Sequence, residues 1–170
     1  MRKSKILIYV ALFASIHFSL SGQNIDSLMN EGLKLQQQFK YQEAIVLYQK
    51  VLDIRPNDAN GMYQKALCYM RNNEPQEALT IFLKLTTTRS DFVGGFYGAA
   101  TAYSSLEKYT KAIEYIEKAM EFEPKNSEYY MVRGQIYANM GDKKSACKDF
   151  KMAKKLGNPD AKFSMQKYCR

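Results

Sequence analysis

Histidine is almost missing from this sequence: 170 residues hold one, His17. It falls in a segment that reads as an export signal, so the chain left after removal of that segment has none. That takes away the base of Ser-His-Asp and Cys-His catalysis and the commonest metal ligand. Cysteine is sparse too, with only Cys68, Cys147 and Cys169, an odd number that permits one disulfide and one free thiol in an oxidising compartment. No glycine-rich stretch follows a strand as a phosphate loop requires. Gly94, Gly95 and Gly98 come nearest, and they fall at helical positions, where they loosen a first turn or open room in a groove. The apolar run from Ile6 to Leu20 is 15 residues, interrupted by Ser15 and His17, against about 20 for a spanning helix. The remaining acids, such as Glu114, Glu117 and Glu121, sit as solvated faces with i, i+4 partners such as Glu114 with Lys118. The residues therefore predict no catalytic site, no metal site and no cofactor.

What is present at the start is an address. Arg2, Lys3 and Lys5 precede the apolar run, and Ser19, Ser21 and Gly22 supply small residues near a cleavage point. Residues 1–22 are expected to be a cleaved signal peptide, leaving no transmembrane segment. Gln23 stands where a lipid-bearing cysteine would have to be, so the product is expected to be periplasmic or secreted and not lipidated. Cleavage removes three of the eight net positive charges and leaves 8 − 3 = 5. The excess is concentrated late: nine basic residues lie between Met140 and Arg170 against Asp142, Asp149 and Asp160. Two readings stay open for them. They are a solvated outer face with cations near helix C-termini, or they meet an anionic envelope surface or partner. Export disfavours nucleic acid.

The body of the chain is built on a spacing. Ala44, Ala78, Ala112 and Ala146 follow one another at intervals of 34 residues, each four residues before Tyr48, Phe82, Ile116 or Phe150. A small residue recurring at a long fixed period marks an array in which one helix repeatedly approaches another where only a methyl group fits. Large and small residues at i, i+4, i+7, as in Leu28, Gly32, Leu35 and Tyr130, Gly134, Tyr137, give helical rather than strand periodicity. Breakers such as Asn72-Asn73-Glu74-Pro75, Arg55-Pro56-Asn57-Asp58 and Glu123-Pro124-Lys125-Asn126 divide the chain into helices expected near 25–38, 41–54, 58–71, 75–86, 91–105, 109–122, 126–139 and 143–156. After Leu156-Gly157-Asn158-Pro159, residues 158–170 supply a short capping helix that covers the apolar end of the array.

The cap fixes an expectation for the cysteines. Residues 147–156 and 160–169 each climb nine steps, roughly 13.5 Å at ~1.5 Å per residue, so an antiparallel hairpin turning at Gly157 to Pro159 returns Cys147 and Cys169 to one level. A Cys147–Cys169 disulfide is predicted, against the alternative of two reduced buried thiols. Cys68, between Leu67 and Tyr69, is read as a buried small apolar residue.

Aligned on the alanines, the blocks 25–58, 59–92, 93–126 and 127–157 carry a large residue, then Gly or Ala, Tyr, Ala, an aromatic and Ala, with Pro56 and Pro124 closing two of them. This resembles the tetratricopeptide repeat (TPR) signature over about 130 residues. The second block departs from it, with Ser90 for the proline and Leu85 for the small residue. The resemblance implies an all-α, right-handed α-solenoid of four helix-turn-helix repeats across 23–157. It also implies that first helices line a concave groove, which places Met29, Leu33, Tyr63, Leu67, Met70, Arg71, Tyr97, Thr101, Met131 and Gln135 on a peptide-binding surface. Gln36, Gln64, Gly94 and Gly98 fall at groove positions as well. The clamp that takes a terminal carboxylate in one TPR subfamily is absent, since Met29, Leu33, Gln64, Gly94 and Gly98 stand at its positions. The expected function is a non-catalytic protein-interaction module for a peptide or helix of a partner, or a scaffold subunit of an envelope complex that makes contact through its basic C-terminal outer face. Neither a particular partner nor an oligomeric state is specified by these residues.

Overall fold

A computed structural model describes residues 24–169; residues 1–22, on which the expected signal peptide falls, Gln23 and Arg170 lie outside the described residues. Nine helices and no strand occur among them. Helix α1 covers 24–37. It is followed by α2 (Tyr41–Ile54), α3 (Ala59–Arg71), α4 (Pro75–Thr88), α5 (Val93–Ser105), α6 (Tyr109–Phe122), α7 (Ser127–Asn139), α8 (Lys143–Lys155) and α9 (Ala161–Tyr168). Successive helices pack on one another as antiparallel pairs, giving an all-α solenoid. Asp58 accepts the Gly61 amide at 2.8 Å, Asn126 that of Glu128 at 3.1 Å and Asp142 that of Ser145 at 3.0 Å, each capping the helix that follows it. Pro75 opens α4 at a position where its missing N–H costs nothing. Helix α4 runs two residues past its expected end, and in that last turn Thr86 returns its hydroxyl to the Leu83 carbonyl and Thr87 and Thr88 return theirs to Lys84.

The turns inside the repeats share one device. Phe39, Asn73, Glu107 and Gly141, again 34 apart, all have positive φ. The amide after each bonds a carbonyl five residues back, from Lys40 to Leu35, Glu74 to Tyr69, Lys108 to Tyr103 and Asp142 to Tyr137, each at 2.9 Å. This is a Schellman stop, for which glycine is the natural residue, yet only the fourth repeat has one. Phe39 is the oddest occupant: φ is 60° and the side chain is 78% exposed. Left-handed backbone costs an L-residue roughly 1–2 kcal/mol, and the ring recovers only an edge contact with Tyr41 at 6.3 Å. Phe39→Gly is expected to raise stability in urea by about 0.5–1 kcal/mol, after the greater freedom glycine has in the unfolded chain is subtracted. An unchanged or lower midpoint would show that the Phe39–Tyr41 contact outweighs the strain.

Ala44, Ala78, Ala112 and Ala146 are all fully buried. What occupies the space beside the small residues of the first helices, however, is the ring four residues after the alanine. A Cβ added to Gly32 would come within 2.7 Å of the Tyr48 ring, and one on Gly134 within 2.7 Å of Phe150 and 3.3 Å of the Ala146 carbonyl oxygen. Tyr48, Phe82, Ile116 and Phe150 are fully buried, each contributing on the order of 2 kcal/mol from area alone. The α5 glycines belong to this packing. A Cβ on Gly98 would meet Phe82 at 2.3 Å, and one on Gly95 would meet Leu85 Cβ at 3.1 Å. The oversized Leu85 of the second repeat is thus accommodated by the missing side chain of Gly95 in the third.

Candidate functional site

Helices α1, α3, α5 and α7 place one face of each on the inner side of the array. At the N-terminal half the lining is organised by amides. Gln36 is buried; its Nε2 donates to Tyr48 Oη at 2.6 Å and to Gln64 Oε1 at 3.0 Å, while its Oε1 accepts from Arg71 Nη1 at 2.9 Å. One side chain therefore ties α1 to α2 and α3, spending both of its donors and one acceptor lone pair on protein partners. Arg71 is anchored at one nitrogen, and the residue as a whole is exposed.

The middle of the face is aromatic. Tyr63 sits 5.9 Å from Phe82 and 5.4 Å from Phe92, over Gly94, where a Cβ would come within 2.8 Å of the Phe92 ring. Tyr97 lies 5.5 Å from Tyr129. Tyr129 donates its hydroxyl to Glu123 Oε2 at 2.9 Å. Burial, aided by the Glu128 carboxylate, pushes the Tyr97 phenol up to about 12. Burial also raises Tyr63, partly offset by Arg71, and raises Tyr129, where Glu123 adds to the effect. These phenols stay protonated across the neutral range, so the face presents neutral aromatic rings, with the Tyr129 hydroxyl already spent on Glu123.

The expected groove residues do not all have the same freedom. Met29, Tyr63, Leu67, Met70, Tyr97, Thr101 and Met131 are half-buried, and Leu33, Arg71 and Gln135 are exposed. The hydroxyl of Thr101 is spent on the Gly98 carbonyl at 2.9 Å, and Gln135 Nε2 on Asn139 Oδ1 at 2.9 Å. Tyr168 of α9 also reaches Gln135. Gly98 opens no groove, because Phe82 fills the space above it. Tyr129 and Phe92 back the lining although neither falls at a groove position in the repeat. Tyr129 stands two residues after Ser127, on the side of α7 that meets α5, a placement that a fixed list of groove positions misses.

Elsewhere, Cys147 and Cys169 are joined by a disulfide with Cα atoms 5.2 Å apart. Cys68 is buried, and burial pushes its thiol up to about 11. A cleft of about 450 Å³ between the turns at Pro56 and Ser90 contains Arg55 and Arg89, which face Asp58 and Asp91 respectively and are thereby neutralised. Among the described residues no group of three or more His, Cys, Asp or Glu side chains could hold a metal ion, and no helix is long and apolar enough to cross a membrane.

An array of paired helices with an amide- and tyrosine-lined inner face defines an all-α helical-repeat solenoid. Two family descriptions match: anaphase-promoting complex, cyclosome, subunit 3 over residues 37–119, and the N-terminal acetyltransferase A auxiliary subunit over 86–163. A curated relative, an inactive peptidyl-prolyl cis-trans isomerase called shutdown from Bombyx mori, is 27% identical over 155 residues, covering 81% of this chain and 34% of that protein. The chain spans about a third or less of the first curated relatives it matches. A thermophilic TPR protein of Thermus thermophilus superposes with a TM-score of 0.76 at 20% identity, covering 85% of this chain and 80% of that one. The first TPR unit of Spaghetti, solved with an HSP90 peptide, gives 0.66 at 24% identity, covering 70% and 94%. Together with the 34-residue period, these similarities show a fold shared with tetratricopeptide repeat proteins.

Proposed function

We propose that this solenoid is a non-catalytic protein-interaction module that takes an extended peptide or a helix of a partner into its inner groove. The observation that carries the reading is the union of two features on one face: half-buried Tyr63, Tyr97, Met70 and Met131, which offer adaptable contact area, and Arg71, held by Gln36 with its remaining donors free. Tyr, Met and Arg are the residues from which interface anchors are made. The groove carries little charge, so an apolar or aromatic segment with one acidic group set against Arg71 fits it best. Support comes from the fold shared with a TPR unit solved with a bound peptide.

The setting we propose is outside the cytoplasm. Residues 1–22 have the pattern of an export signal, and a Cys147–Cys169 bond persists in an oxidising compartment. Crosslinking in the native envelope identifies the partner, and its affinity is then compared for wild type and Tyr63→Ala/Tyr97→Ala. Loss of two aromatic anchors at ~2 kcal/mol each predicts a fall of about a thousandfold. Because Tyr63 also packs on Phe82, the exposed Arg71→Gln serves as a second variant and should weaken binding about tenfold, at a stability cost of about 1 kcal/mol from the donor that Gln36 Oε1 loses. Unchanged affinity in both variants sinks the groove reading.

A further inference from the structure

The C-terminal end carries a second surface, formed by α8 and α9. Lys144, Lys148, Lys151 and Lys155 follow one another at i, i+4, i+7 and i+11 on α8. At ~100° per residue they fall on one line, directly opposite Ala146, Phe150 and Ala153, which face the core. All four are exposed, and none forms an ion pair among the described residues. Asp149, the acid nearest in sequence, is buried and committed to Arg133. Two clefts flank the row. One, of about 450 Å³, has Cys147 and Met152 among the lysines; the other, of about 640 Å³, runs from Lys151 and Lys154 across to Lys162 and Met165 of α9. On α9, Phe163 is 72% exposed between Lys162 and Lys167, and Met152 is 37% exposed.

We propose that this face docks on an anionic lipid bilayer. The chemistry favours a diffuse anionic plane over a discrete carboxylate. The cations are all lysines, compact point charges on flexible stems with no planar fork to read one acid. No buried polar group fixes any of them. A row of four spans about 16 Å at ~1.5 Å per residue; Met152 lies among the lysines and Phe163 is exposed on the neighbouring α9, apolar groups of the kind that enter the headgroup region. Each lysine near an anionic leaflet adds roughly fivefold to the affinity.

The test is sedimentation of the full-length chain with vesicles of phosphatidylcholine alone or with 30% phosphatidylglycerol; any binding through residues 1–22 is common to all variants. Wild type is expected to bind the anionic vesicles at least tenfold more tightly than the neutral ones. Lys148→Gln/Lys151→Gln should weaken that binding about 25-fold, and 0.5 M salt should erase the difference. Phe163→Ser should weaken it severalfold without altering the melt. Equal binding to both vesicles, or a lysine double variant that binds as wild type, overturns the proposal. So does a polyglutamate peptide that binds with the same lysine dependence while vesicles do not, since the face would then be a dock for an acidic protein. None of these readouts involves Tyr63 or Tyr97, so this result and that of the groove experiment stand apart.

Discussion

Asp149→Ala is expected to cost about 3–5 kcal/mol, a large share of the stability of a domain this size. Asp149 is 3% exposed and accepts two hydrogen bonds from Arg133, from Nε to Oδ2 at 2.8 Å and from Nη2 to Oδ1 at 3.0 Å. The third nitrogen of Arg133, Nη1, donates to Glu117 at 2.9 Å, so one guanidinium joins α6, α7 and α8. Arg133 is mostly buried, and the Asp149 bonds hold it above even the usual arginine range. Removing the carboxylate leaves that charge with only the half-exposed Glu117 as a partner. The cost is mainly the desolvation of an uncompensated cation, so Asp149→Leu/Arg133→Met should recover most of it. Glu117→Gln, at the exposed end, should cost less than ~1 kcal/mol. Because a solenoid's stability is a sum over neighbouring repeats, the loss should appear first as faster amide exchange in α7, α8 and α9. Asp149→Ala melting like wild type would show that Arg133 finds water or another acid.

This pair also shows where the sequence can be read and where it resists. Periodicity locates the eight helices of the repeats, since a 34-residue recurrence of buried large and small residues is a statement about packing that each block makes independently, and the Gly157-Asn158-Pro159 breaker locates the ninth. By composition Asp149 counts among the acids of a solvated basic face, and the structure corrects that. A signal is there: the corresponding positions are Leu47, Ile81 and Tyr115 in the other repeats, all at least partly buried. An acid in a slot that is otherwise apolar needs a buried cation, and Arg133 is the one facing it. Gln36 falls at a groove position by its phase in the repeat, but its role as the hub for Tyr48, Gln64 and Arg71 depends on side-chain geometry that spacing does not carry. Gly98 fails differently. Its phase also puts it at a groove position, yet whether the missing side chain leaves open space or makes room for Phe82 is decided by the neighbouring helix, through a contact that a one-dimensional pattern does not contain.

Breaking the Cys147–Cys169 bond, by reduction or as Cys147→Ser/Cys169→Ser, is expected to cost about 3 kcal/mol from the freed chain entropy of a loop whose ends are 22 residues apart, or roughly 6–12 °C of melting temperature. The loss should begin at α9. That helix has eight residues, too few to stand alone, and it holds to the array through buried Ala161 and the stacking of Tyr168 on Phe150 at 5.6 Å. Once it is free, Phe150 loses its cover and the last repeat its cap. The check is a melt with and without a phosphine reductant, paired with thiol counts of one in the oxidised, denatured chain and three in the reduced one. Cys68 does not confuse the count in the native state, because a buried thiol with its pKa pushed up to about 11 is a poor nucleophile in exchange. Superposable melts would mean that α9 is held by packing alone. A shift of the expected size makes the cap conditional on compartment: the same chain would be closed at its C-terminal end where disulfides persist and frayed where they are reduced. The lysines of α9 and Phe163 would then leave the basic face while the four lysines of α8 stayed, so reduction should weaken vesicle binding without abolishing it.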